Sequence, residues 1–103
     1  MTREENRALC EKYPFLMPSS GRIYDYRYTM LDFMPDVWRN AFGEAMCMEL
    51  KTELDRAGLL GSYMVLEIKE KYGTLRWYDC GGNEKTDEIV SKYEKMSERL
   101  SIT

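Results

Sequence analysis

The residues with most scope for chemistry flank one glycine. Residues 62–71, then Tyr72-Gly73, then residues 74–80 read as a β-hairpin with a two-residue turn, in which Gly73 supplies the positive φ that a tight turn needs. That turn sets Lys71 against Thr74, Lys69 against Arg76, Ile68 against Trp77 and Glu67 against Tyr78. Leu66, Ile68, Leu75 and Trp77 then share the core face, with Glu70 and Asp79 at its two ends, where they reach water. Glu67, Lys69, Lys71, Thr74, Arg76 and Tyr78 share the other face. A slip of one residue would bury charges, so the pattern favours this register. Like charges directly across a strand pair are destabilising unless an anion or a carboxylate lies between them. Lys69, Lys71 and Arg76, with Tyr78 and Tyr72 as rings, therefore form a candidate site for a phosphate and a base, through charge-assisted hydrogen bonds and stacking. The plain alternative is a solvated face whose cations pair with Glu67 or with a carboxylate from another element.

Three further groups carry weaker chemistry. On a helical wheel Glu49 falls between Trp38 and Phe42, inside an apolar arc. A buried carboxylate needs a partner. Glu49 is therefore a candidate to orient Arg76 or Lys69, or to act as a lone acid or base, unless the helix tilts and leaves it at the edge of the arc. Tyr24, Tyr26 and Tyr28, interleaved with Arg22 and Arg27, offer a stacking platform or a protein-binding patch, since tyrosine and arginine are common hot-spot residues; the alternative is an edge strand whose rings cover the core. Cys10 and Cys47 lie on or beside apolar helix faces and read as small core residues, whereas Cys80 beside Gly81-Gly82 reads as exposed. With no histidine in the chain, no Cys-His or Ser-His pair is available and no zinc site can use imidazole. The three cysteines are far apart with no C-x-x-C, so no four-cysteine site forms within one chain. No catalytic residue, metal ligand or cofactor is assigned.

Positioning these groups falls to three predicted helices and the hairpin. Thr2 and Glu5 fit a capping box for a helix over 3–12 that Pro14 stops. Residues 14–35 hold all three prolines and look mostly irregular, with the alternating tyrosines suggesting a strand over about 22–29. Asp36 is the expected N-cap of a helix reaching Ala57, with Gly58 as its left-handed stop. Phe42, Met46, Leu50 and Leu54 form one apolar row on it and Trp38, Ala41, Ala45 and Met48 a second, a stripe wide enough for a central helix. A last helix runs from Glu84 or Thr86 to Leu100, with Ile89, Tyr93, Met96 and Leu100 as its apolar line. Met46 and Met96 accordingly read as core. The expected fold is α+β: one domain over 1–103, with three helices on one side of a small antiparallel sheet.

Composition narrows the functional classes. The chain has 103 residues, 44% hydrophobic and 32% charged, enough to bury a core. Its net charge of −3 gives no gross pull toward nucleic acid or anionic membranes. No apolar run approaches the roughly 18 residues of a membrane helix, and the polar start Met1-Thr2-Arg3-Glu4-Glu5 fits no signal or transit peptide. The expected location is a cytoplasm.

The segment Ile68–Tyr78 resembles the signature of a family of short, mostly uncharacterised phage, prophage and bacterial proteins, whose hairpin has the form I-K-x-K-[FY]-G-x-L-R-[FYW]-Y. Ile89, Tyr93 and Ser97 stand in the places of the amphipathic helix that follows it there; the helix with an aromatic near its start matches at Trp38, and Cys10-Glu11-Lys12-Tyr13-Pro14 resembles an amino-terminal element. Longer members continue into a Thr-Cys-x-x-Cys-Gly knuckle, whereas the sequence here runs to Ser101-Ile102-Thr103, so a metal-linked role is not carried over. The resemblance implies a mobile-element context in a bacterial host's cytoplasm. The expectation is a non-enzymatic binding protein that counteracts a host defence system. It would sequester an anionic, nucleotide-like ligand on the hairpin face, or occlude a host immune protein through Tyr24, Tyr26, Arg27 and Tyr28 and the same face. The alternatives are a small enzyme acting on a nucleotide through Glu49 and Tyr78, a nucleic-acid accessory protein that the acidic balance disfavours, and a homo-oligomer joined through the double apolar row of the 37–57 helix.

Overall fold

The computed structural model describes residues 1–18 and 24–101. Helix α1 (Arg3–Lys12) opens with the expected capping box, Thr2 Oγ1 accepting from the Glu5 N–H while Glu5 returns a bond to the Thr2 N–H. Two 3₁₀ turns follow, Pro14–Leu16 and Met30–Phe33. The long helical run is not one α-helix. It opens as α2 (Asp36–Trp38), widens to a π turn (Arg39–Gly43) and continues as α3 (Glu44–Ala57), ending at Gly58 with φ +72°. Asp36 is its first residue rather than its N-cap, a place Pro35 takes, and the Asp36 carboxylate instead meets Arg39 at 2.7 Å. Strands β1 (Met64–Lys71) and β2 (Thr74–Cys80) pair antiparallel, and α4 (Glu84–Ser97) closes the chain on an Asn83–Thr86 capping box. The architecture is α+β, with three helical bodies and one two-stranded sheet. Among the described residues, no helix is long and apolar enough to cross a membrane.

The hairpin has the expected register from Lys71↔Thr74 through Glu67↔Tyr78. Tyr72 and Gly73 both hold left-handed φ, at 55° and 78°, the pairing that a two-residue turn of matching twist requires. One correction concerns the core face. A bulge between Val65 and Glu67 moves Leu66 out, where it is 50% exposed, and buries Val65 beside Ile68, Leu75 and Trp77. A bulge adds one residue to one strand, so the alternation reverses beyond it. At the far end Gly81 passes so close to the Ser62 carbonyl that a Cβ would lie 2.0 Å from the oxygen, so no other residue fits there.

An isolated two-stranded sheet is marginal in water, and here helices and turns support it. Strand β2 presents outward N–H groups that α4 takes up: Leu75 donates to Ser97 Oγ at 2.9 Å and Trp77 to a Glu94 carboxylate oxygen at 3.0 Å. That contact turns α4 from the expected orientation. Its buried line is Thr86, Val90, Tyr93 and Ser97, while Ile89 is half-buried and Met96 is exposed rather than core. The helix ends at Ser97; Leu100, past it, accepts from the Trp38 indole N–H at 2.9 Å and is partly buried. The first row of the central run, Phe42, Met46, Leu50 and Leu54, is buried as expected. Of the second row only Trp38 is; Ala41, Ala45 and Met48 face out. The π turn between Trp38 and Glu44 explains the split, because its extra residue rotates the face that follows it.

The strand expected over 22–29 is not found among residues 24–29; residues 22 and 23 lie outside the described part. Tyr26 has φ +64°, which interrupts extended backbone. Asn6 Nδ2 on α1 donates to the Tyr26 carbonyl at 2.8 Å, and the Tyr24 hydroxyl donates to the Tyr28 carbonyl. The loop's backbone acceptors are thus met by side chains, and its period of two records rings packing on one another. Tyr24 lies 4.7 Å from Tyr26 and 6.2 Å from Tyr28 between ring centroids.

Candidate functional site

The structure brings Lys69, Arg76 and Tyr78 together on the outward face of the hairpin. Lys69 and Arg76 are direct cross-strand partners. The Lys69 ammonium stands 5.4 Å from the Tyr78 ring centroid and 3.6 Å from a Glu67 carboxylate oxygen. Arg76 has neither kind of contact: its Nε is buried and meets no hydrogen-bond acceptor. Arg39 is held by Asp32 at 3.0 Å and Asp36 at 2.7 Å, and Arg56 grips Glu53 through two nitrogens. A buried guanidinium N–H without an acceptor costs free energy, and two cations facing each other across a ladder add repulsion. An oxyanion held between the two cations would relieve that repulsion.

The other expected members divide. Lys71 continues the cationic line toward the turn, with its ammonium 5.8 Å from the Tyr72 ring centroid. Tyr72 sits at the hairpin tip and is 89% exposed, apart from the ladder positions of Lys69 and Arg76. Glu49 does not orient Arg76 or Lys69. Its carboxylate takes the Lys92 ammonium at 2.5 Å and the Tyr93 hydroxyl, both on α4. Desolvation pushes that carboxyl up, but the bonds from Lys92 and Tyr93 outweigh it and hold it below the ordinary carboxylate range. It therefore stays ionised at neutral pH and serves as a tie between α3 and α4.

The tyrosine loop forms a cluster extended by Phe33, whose centroid is 5.7 Å from that of Tyr28. Tyr28 and Phe33 are exposed, while Tyr24 and Tyr26 are half-buried. Burial pushes the Tyr24 hydroxyl upward, and its contact with Cys10 adds to this. Arg27 is tied to Asp25 at 2.7 Å, and the Arg7 guanidinium lies over Tyr26 at 5.1 Å. Arg22 lies outside the described residues. Cys10 and Cys47 are buried and Cys80 is exposed, as expected; burial raises both buried thiols, which makes them poor nucleophiles.

No family model matches the chain. Neither the curated proteins nor the solved structures provide a match either.

Two arrangements escaped the sequence reading. One is a relay on the core face, where the Trp77 indole N–H donates to the Tyr63 hydroxyl at 3.0 Å and that hydroxyl donates to Asp79 at 2.6 Å. Burial pushes the Tyr63 hydroxyl and the Asp79 carboxyl upward. The other is the Glu53 carboxylate, nearly enclosed, which Arg56 and then Asn83 pull down to about 2. Its i,i+3 spacing to Arg56 was visible in the sequence; its burial depends on Asn83, thirty positions away.

Proposed function

We propose that this protein is a non-enzymatic binding protein whose outward hairpin face takes an anionic, nucleotide-like ligand. The observation that carries the reading is the buried, unpartnered Arg76 Nε directly across the ladder from Lys69. In this reading Arg76 and Lys69 hold the oxyanion through charge-assisted bonds, Lys71 neutralises a second charge, and the Tyr78 ring, with Tyr72 beyond it, stacks on the base. The context that the hairpin motif suggests, a mobile element in a bacterial cytoplasm, makes sequestering a host defence signal the role such a site would serve. The exposed Tyr28 and Phe33 rings favour a second reading, in which the tyrosine loop occludes a host protein.

Native mass spectrometry of the protein purified from its expression host tests the first reading. The expected result is a mass excess that disappears on denaturation and is absent from Arg76→Ala and Lys69→Ala, both of which keep the melting temperature. A mass excess that survives in both variants would overturn it. Conversion of the captured molecule on incubation would replace sequestration with turnover.

A further inference from the structure

We infer that the trough between α3 and α4 seats a second copy of this chain, across a two-fold axis that sets the trough of one copy against that of the other. The trough has a volume of about 510 Å³, and Ala45, Met48, Thr52 and Ile89 form its largely apolar floor. Met48 is 51% exposed there. A second depression of about 280 Å³ shares Ile89 and Glu53 with it and continues past Lys85, Glu88 and Lys92. The exposed side of the central run, Ala41, Ala45, Met48 and Thr52, follows the 4-3-4 spacing of one helical face. Two of those positions are alanine, small enough for another helix to approach closely. The hairpin-face reading plays no part in this inference.

Three features select a second copy over other occupants. First, its floor lies along the exposed face of the central run, where Ala41 and Ala45 let the same face of a second copy approach closely. Second, its two floor carboxylates are already partnered. Glu53 takes three hydrogen bonds from Arg56 and Asn83, and Glu49 is taken by Lys92 and Tyr93. The floor's carboxylates are thus not free to orient a small polar ligand, which requires a few convergent free groups. Third, the rim carries both signs, with Glu49 and Glu88 beside Arg56, Lys85 and Lys92. A partner of one charge sign would be repelled by part of that rim. A two-fold copy presents the same mixture, so acid on one chain can face base on the other, as isologous interfaces require.

Sedimentation velocity of the full chain, from micromolar to submillimolar concentration, provides the test. The expected result is a monomer–dimer equilibrium. Met48→Arg and Ala45→Glu, made separately, each weaken it at least about tenfold, while Leu66→Arg on the hairpin bulge leaves it unchanged. A wild-type monomer across the range overturns the inference, as does a dimer that survives both trough substitutions. Oxidation by dilute peroxide gives the same answer without a variant. Met48 and Met64 are 51% and 41% exposed in one chain, so their sulfoxides form at similar rates in dilute protein. At concentrations where the dimer dominates, Met48 is expected to be shielded and Met64 not; equal rates there overturn the proposal.

Discussion

The two faces of the hairpin solve the same problem in opposite ways. On the core face and the edge beside it, polar groups are partnered: the Trp77 indole reaches Tyr63, Tyr63 reaches Asp79, and the edge N–H groups of Leu75 and Trp77 reach Ser97 and Glu94. On the outward face, one register step from Trp77, Arg76 keeps a buried Nε without an acceptor and faces another cation. The chain does not lack carboxylates, since its 18 acidic residues outnumber its 15 lysines and arginines. Arg39 and Arg56 each have one, whereas Arg76, like Arg7 and Arg99, has none among the described residues.

The largest effect of a single substitution is expected on the core face. Tyr63→Phe strands the buried Trp77 N–H and removes the Asp79 donor, so it is expected to cost about 1–3 kcal/mol. The same edit at Tyr78 on the outward face is expected to stay within about 0.5 kcal/mol. Urea midpoints at constant slope measure both, and equal costs would erase the distinction between the faces.

Next in size is the pH dependence of the Glu53–Arg56 pair, the paired counterpart of Arg76. The Glu53 carboxyl is pulled down to about 2 from 4.5 in the folded chain. Its contribution is therefore fully present above pH 4.5 and is lost as pH falls through about 2. Melting curves are expected to show Glu53→Gln well below wild type at neutral pH, with the gap closing between those two values. A gap independent of pH would mean that the carboxylate's charge contributes nothing.

A smaller effect, of opposite sign, is expected at the turn. Tyr72 holds a left-handed φ of 55° with its ring 89% exposed, where asparagine is the favoured residue. Tyr72→Asn is expected to stabilise the fold by about 1 kcal/mol, the scale of the left-handed penalty, while weakening ligand capture if the ring stacks. The smallest effect belongs to the site itself. Arg76→Ala is expected to raise stability by up to about 0.5 kcal/mol, because it removes a cross-strand repulsion and a buried unpartnered N–H. A double-mutant cycle with Lys69→Ala should show zero or repulsive coupling without ligand. Favourable coupling would mean that a counter-charge already sits between the two.

Much of this molecule was legible because it is local. The period-two alternation about Tyr72-Gly73 fixed every cross-strand pair from Glu67 to Thr74, since any slip would have buried a charge. The Thr2–Glu5 capping box and the stop at Gly58 follow from side chains bonding backbone within a few residues. The cationic face was therefore readable as a face, with Lys69 opposite Arg76. At several places where the sequence misled, a partner from another part of the chain had intervened. The tyrosine alternation looks like a strand until Asn6 and Tyr24 take its carbonyls. Ser97 looks polar and external until the edge of β2 needs an acceptor, and that need turns α4 and brings Met96 to the surface. Glu49 belongs to α4 rather than to the hairpin because Lys92 and Tyr93 reach it first.

By itself, the sequence determined three helical segments with a hairpin between the second and third, the hairpin register and the identity of the cationic face, because periodicity, turn chemistry and capping act over a few residues. Only the tertiary structure decided that Arg76 lacks an acceptor, that a bulge exchanges Leu66 for Val65 and that a π turn exposes Ala45 and Met48. Those outcomes depend on which backbone and side-chain groups are met once separate elements pack, a balance that no local pattern encodes.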